Sequence, residues 1–265
     1  MSIILLSFLM EDWEIALLSF LKPWKNRQEV IGFLVCGSYI TGKPSKHSDI
    51  DLHIITSHDT DWRERGSKFI DGYHIEYFVN PPKQIRAYFK KYHRDHSLDP
   101  QTMFITGKIL YDKTGSVAQL KTEAKNWREK KFNGLEDTSL IIQKYALWDA
   151  LDNLQDIYEK KSKSFRYAYY AALRNVLEFY STYLKWEVYS PERVYEYFTD
   201  PLVLKKYLQT EYPDPVFGEM FVKAITVDIE YEMLVSFEEL ADYVFEQTDG
   251  FEIDGWVVRT PLELE

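Results

Sequence analysis

The segment "SDIDLHII" places two carboxylates, Asp49 and Asp51, two residues apart, and ten residues separate them from a Gly37-Ser38 pair. In a strand the side chains alternate, so Asp49, Asp51 and His53 share one face while Ile50, Leu52 and Ile54 share the other, which faces a core. Two carboxylates about 4 Å apart repel by roughly 4 kcal/mol at an effective dielectric near 20, so a converging pair needs a cation, a shared proton or full exposure to water. Oxygen-only ligands favour magnesium. A bare Asp-x-Asp reads more simply as an edge strand with a solvated acidic face, so the neighbouring residues decide.

Gly37 and Ser38 close the apolar run "VIGFLVC". Glycine permits close backbone approach, serine adds a hydroxyl, and backbone N–H groups at a strand-to-helix corner suit a phosphate. A third acid, Glu76, stands in "GYHIEYFVN" between Ile75 and Tyr77-Phe78, where a carboxylate is costly to bury alone. A phosphate-binding corner beside a carboxylate pair is a workable site for a magnesium-nucleotide.

The elements that must hold these residues can be read from periodicity. Apolar runs of strand length, Val30 to Cys36, Ile50 to Ile55, Tyr73 to Val79 and Lys108 to Tyr111, are separated by turn signals and by helical stretches, among them Glu11 to Phe20 and Lys83 to Tyr92. After residue 115 helical spacing takes over, with Leu140, Leu147, Leu151, Leu154 and Tyr158, then an aromatic-rich stretch from Phe165 to Trp186. Ser190-Pro191 and Asp200-Pro201 read as helix starts. The expectation is a mixed α/β unit over 1–115 and an all-α helical bundle over 116–265, an α+β chain.

Composition narrows the function classes. At 265 residues and 45% hydrophobic the chain buries a sizeable core. Its single cysteine, Cys36, excludes an intramolecular disulfide framework, fits a reducing compartment such as the cytoplasm, and reads as a buried small hydrophobe. "MSIILLSFLM" lacks a basic lead and a cleavage site and reads as the start of a helix. No segment is apolar over the ~18 residues a membrane span needs. Residues 211–265 hold 2 basic against 15 acidic residues, which accounts for the chain's net −10. With no basic track, nucleic acid is not an expected partner. The acidic stretch is either a solvated helix face or a surface that attracts a cationic substrate.

The Gly-Ser pair, the ten-residue spacer, "DID" and a later strand with a third acid together resemble the nucleotidyltransferases of the DNA polymerase beta superfamily, and most of all the small bacterial enzymes related to kanamycin (aminoglycoside) nucleotidyltransferases. The resemblance covers roughly residues 10 to 115, "GKILYD" included; the second half matches only in being helical. It implies a nucleotidyltransferase domain with a mixed sheet flanked by helices. It implies that Gly37 and Ser38 hold nucleotide phosphates, that Asp49 and Asp51 ligate magnesium, and that Glu76 is the third carboxylate, a ligand of a second ion and a candidate base. Glutamate at position 76 departs from the superfamily's commoner aspartate. It implies two magnesium ions clamping an in-line displacement at the α-phosphate, with pyrophosphate released. In such enzymes a carboxylate on the first long helix of the second domain can act as base, and Asp149, with Asp152 one turn on, is the nearest match; both also fit a solvated face.

Other features weigh less. His93 and His96 have metal-ligand spacing but no further paired ligand, and read as a surface loop. Lys43, Lys46 and His47 in the spacer face either phosphate or solvent. "RNVLEF" lacks the histidine of the HEPN-type RNase motif, so no RNase activity is expected. The expected function is transfer of a nucleoside monophosphate, AMP from ATP, to a hydroxyl of a small cationic acceptor such as an aminoglycoside. The alternatives are a protein-AMPylating, antitoxin-like enzyme and a non-catalytic nucleotide-binding regulator. A homodimer is compatible with this reading.

Overall fold

A computed structural model describes residues 10–261, so the expected helix start in "MSIILLSFLM" lies almost wholly outside the described residues. The chain divides into two compact units between Lys130 and Lys131. In the first, five strands form one mixed sheet: β1 (Val30–Cys36), β2 (Ile50–Thr56), β3 (Glu64–Ile70), β4 (Tyr73–Asn80) and β5 (Lys108–Asp112), in the order β3-β4-β2-β1-β5. β2 and β4 run parallel; the other neighbours are antiparallel.

Both faces of the central strands are covered. α1 (Asp12–Lys25), opened by a reciprocal Glu11–Glu14 capping box, lays Trp13, Leu17, Phe20, Leu21 and Trp24 on Phe33, Val35, Ile50, Leu52, Ile54, Ile75 and Val79. On the opposite face α3 (Pro82–Arg94), α4 (Asp99–Thr106) and α5 (Ser116–Arg128) supply Ile85, Phe89, Phe104, Val117, Leu120 and Ala124 against Leu34, Cys36 and Ile55. Each fully buried aliphatic or aromatic side chain contributes about 1.5–3 kcal/mol, so neither layer is dispensable. α5 explains why the division falls after residue 115: its buried face closes the second side of the sheet, and it packs with the strands.

The strand runs read from the sequence are strands, extended by one residue at Thr56, Asn80 and Asp112. β3 had no such signal. Its burial pattern is largely exposed, as befits an edge strand with polar residues on both faces.

The second unit is helical among its described residues: α6 (Asp137–Glu159), α7 (Phe165–Tyr183), α8 (Val194–Thr199), α9 (Pro201–Lys206), α10 (Pro215–Thr226) and α11 (Glu230–Gln247), with a 3-10 turn at Pro191–Arg193. The aromatic stretch forms its core, where Phe165, Tyr169, Tyr180, Phe217 and Phe237 are almost fully buried. Asp200 caps α9 at Leu202 N, as Asp-Pro predicts, and Asp214 caps α10 at Phe217 N while accepting from Tyr243 Oη at 2.9 Å. The buried Lys144 of α6 donates to the Thr248 and Gly250 carbonyls, closing the C-terminus of α11.

Candidate functional site

The acids converge through strand register. Cys36 lies opposite Asp51 across β1 and β2, and Asp51 opposite Glu76 across β2 and β4. Residues in register share a face, so the end of β1, the start of β2 and the middle of β4 meet at one place, and Asp49, two residues before Asp51, joins them. One oxygen each of Asp49, Asp51 and Glu76 lies within 4.8 Å of the others, and all three residues are half-buried. Opposite ligands of an ion held at about 2.1 Å are ~4.2 Å apart, so three acids this close fit a hard, octahedral cation after a small closure. The donor set is all oxygen, the chemistry of magnesium or manganese.

Gly37 makes the corner. Its φ of 77° and ψ of −163° are open to glycine almost alone, and a Cβ there would stand 2.0 Å from Asp51 Oδ2. The missing side chain lets the Asp51 carboxylate lie against the backbone that turns into α2 (Ser38–Thr41). Gly37 O accepts from Ile40 N at 3.1 Å and Thr41 N at 3.0 Å, and Ser38 opens the turn beside the acids. The spacer that follows is braced by Ser45 N donating to Ser48 Oγ at 2.8 Å; Lys43, Lys46 and His47 are exposed on it.

Glu76 pairs with a residue the sequence did not flag. Arg65 on β3 donates to Glu76 Oε1 from Nε at 3.1 Å and Nη2 at 2.7 Å, with its guanidinium 5.0 Å from the Phe78 ring centroid. That hydrogen bond and the Glu76 charge, with Asp49 adding less, hold the guanidinium further into its charged form. The available signal was Asp71-Gly72, both at positive φ between Ile70 and Tyr73, a two-residue hairpin turn that requires a strand on each side.

Two groups near the acids behave differently from what their types suggest. His53, expected beside Asp51 on the acid face, is buried one pair deeper, stacked on Phe78 with centroids 5.3 Å apart and 4.9 Å from Phe104. Neither ring nitrogen has a hydrogen-bond partner among the described residues, and burial lowers its pKa to about 4. The acid face is thus a site only at its open end and becomes core beneath α3 and α4. Cys36 is fully buried; burial first, then the Asp51 and Asp49 charges, pushes its thiol well above the usual range, so it is no nucleophile.

Asp149 and Asp152 lie on α6 in the second unit, the first half-buried and accepting from Asn153 Nδ2 at 3.0 Å, the second exposed. His93 and His96 are not a surface loop: His93 sits in the last turn of α3 with its ring 5.2 Å from Trp127, and His96 is buried in the turn that follows. The carboxylates of 49, 51 and 76 form the metal-competent group of acids, histidines and cysteines among the described residues, and neither histidine joins it. No helix among those residues is long and apolar enough to cross a membrane.

No curated protein matches the chain. Among solved structures, the crystal structure at 1.90 Å resolution of a nucleotidyltransferase-like protein from Exiguobacterium sibiricum 255-15 is similar at 10% identity and a TM-score of 0.44, covering 89% of this chain and 79% of that one. A likeness that remote carries no weight alone. Residues 17–104 match the family model described as "Nucleotidyltransferase domain", a stretch that contains β1 to β4, the Gly37-Ser38 corner and all three acids. With its mixed five-stranded sheet flanked by helices, the first unit of this chain is a nucleotidyltransferase domain.

Proposed function

We propose that the chain moves a nucleoside monophosphate, AMP from ATP, to a hydroxyl of a small cationic acceptor of the aminoglycoside type, with magnesium. The observation that carries the reading is the convergence of Asp49, Asp51 and Glu76 beside the Gly37-Ser38 corner. Asp49, Asp51 and Glu76 would hold the divalent cation, which supplies charge neutralisation on the triphosphate and acidifies the acceptor hydroxyl. The Ser38 hydroxyl and the first N–H groups of α2 would bind phosphate oxygens and fix the chain for in-line attack. The acceptor oxygen forms a bond to the α-phosphorus as the bond to the bridging oxygen breaks, and pyrophosphate leaves. The hydroxyl proton passes to a carboxylate, for which Glu76 is the candidate within the triad.

The cationic acceptor is supported by charge. Glu230, Glu232, Glu238, Glu239, Asp242 and Glu246 are all exposed on α11, the last five on the side opposite the buried Met233, Phe237, Leu240 and Val244. At 100° per residue the last five of these acids fall within an arc of about 120°. Lys223 neutralises Glu239 at 2.6 Å and Arg166 approaches Glu230 at 3.5 Å. The test is pyrophosphate release from ATP, GTP, CTP and UTP with magnesium against pools of aminoglycosides, other polyamines and proteins. Release with a polyamine and ATP supports the reading; release only with a protein acceptor moves it to AMPylation.

A further inference from the structure

Arg65 stands where a cation is wanted. Its guanidinium delivers both Nε and Nη2 to one oxygen of Glu76, Oε1, at 3.1 and 2.7 Å, and leaves the other oxygen outside that pair. It comes from the edge strand β3, two positions along from Ser67, the register partner of Glu76, and 69% of its side chain is exposed, against 23% for Glu76. Exposed pairs of this kind are held weakly, since solvent competes for both partners and the long side chain loses rotamer freedom. The Phe78 ring beneath the guanidinium gives it a platform close to where it already sits. The Asp49 charge also acts on it, more weakly than that of Glu76. Three carboxylates within 4.8 Å repel one another, and Arg65 offsets part of that repulsion.

We infer that Arg65 is a displaceable counter-ion of the acid triad: it occupies Glu76 before a divalent cation arrives, opposes entry of the bare ion, and gives Glu76 up when the ion enters with a triphosphate. This rests on the proposed reading of the triad as a metal-nucleotide site. The charge logic sets the preference. A bare divalent cation meets the guanidinium as a like charge, whereas a metal-triphosphate, which is net negative, meets it as an opposite charge. Arg65 therefore acts as a positioning residue that biases the site toward the loaded nucleotide.

Manganese is the probe, titrated into the full chain by paramagnetic resonance, with and without a non-hydrolysable ATP analogue. Arg65→Gln should bind manganese alone about 3- to 10-fold more tightly than wild type, and manganese with the analogue no more tightly than wild type. Arg65→Lys, which keeps the charge, should stay near wild type in both. Asp51→Asn should lose manganese binding in either background. If Arg65→Gln binds manganese as wild type does, or less tightly, while Asp51→Asn still abolishes binding, Arg65 is no counter-ion although the metal site stands. If wild type and Asp51→Asn are indistinguishable, the metal-site reading fails and the inference falls with it. Because Arg65 lies mostly in solvent the variants should fold, and coincident thermal melts verify it; a Lys variant that behaves like Gln would point to lost geometry rather than lost charge and would also overturn the inference.

Discussion

Replacing Gly37 by alanine should damage stability and metal binding together, and the structure separates the two contributions. A non-glycine residue at φ 77° and ψ −163° costs on the order of 1–3 kcal/mol in backbone strain. The new Cβ would also stand 2.0 Å from Asp51 Oδ2, well inside ordinary contact, so the Asp51 carboxylate must leave its place in the triad. Gly42 is the control. Its φ of 89° and ψ of 154° impose a comparable strain, yet a Cβ there meets nothing within 4 Å. With about 2 kcal/mol lost, each variant should lower the melting temperature of the first unit by roughly 5–15 °C. Only Gly37→Ala should lose manganese-nucleotide binding. Calorimetric melts and a manganese titration of both variants make the comparison. If Gly37→Ala binds manganese-nucleotide like wild type, or Gly42→Ala loses binding equally, the placement of Asp51 against the corner backbone is wrong.

His53 gives a pH signature. Its pKa is lowered by burial to about 4, so as pH falls below ~6.5 the unfolded chain takes up a proton that the folded chain refuses. Stability is full above ~6.5 and declines by about 3 kcal/mol on the way to pH 4; His53→Phe should flatten that decline in urea melts and, by removing two unpartnered nitrogens, gain about 1–3 kcal/mol at pH 7. An unchanged slope in the variant would refute the assignment. Asp49→Ala or Asp51→Ala should leave the apo melting temperature equal or higher, because each removes a repelling charge, while abolishing the stabilisation by magnesium-ATP; equal stabilisation of mutant and wild type contradicts the metal role. Acceptor binding should weaken steeply with salt if the α11 acids recruit a cation, and charge reversal at Glu239, Asp242 and Glu246 should weaken it without touching ATP binding; indifference to salt leaves those acids with solubility alone.

What the sequence revealed and what it hid follows from burial. β1, β2 and β4 were legible because central strands, covered on both sides, are written as apolar runs; Asp51 breaks the run at the start of β2 and Glu76 breaks it within β4. The same property misleads about His53: period-two alternation assigns it to the acid face but cannot say how far the covering helices reach along that face. β3 was hidden because an edge strand needs no apolar face, and Arg65 went with it. Periodicity places α5 with the helical half because it shows that a helix has an apolar stripe, not which partner that stripe meets. Asp149 and Asp152 remain an expectation from resemblance, half-buried and exposed on α6.

The most direct test of the metal-nucleotide site is an anomalous difference map from crystals grown with manganese and a non-hydrolysable ATP analogue. The account predicts strong manganese peaks in contact with the carboxylates of Asp49, Asp51 and Glu76, the analogue's phosphates at Gly37 and Ser38, and the Arg65 guanidinium moved off Glu76. Bound analogue with no manganese at these three acids, or manganese bound elsewhere with the triad still paired to Arg65, would contradict it.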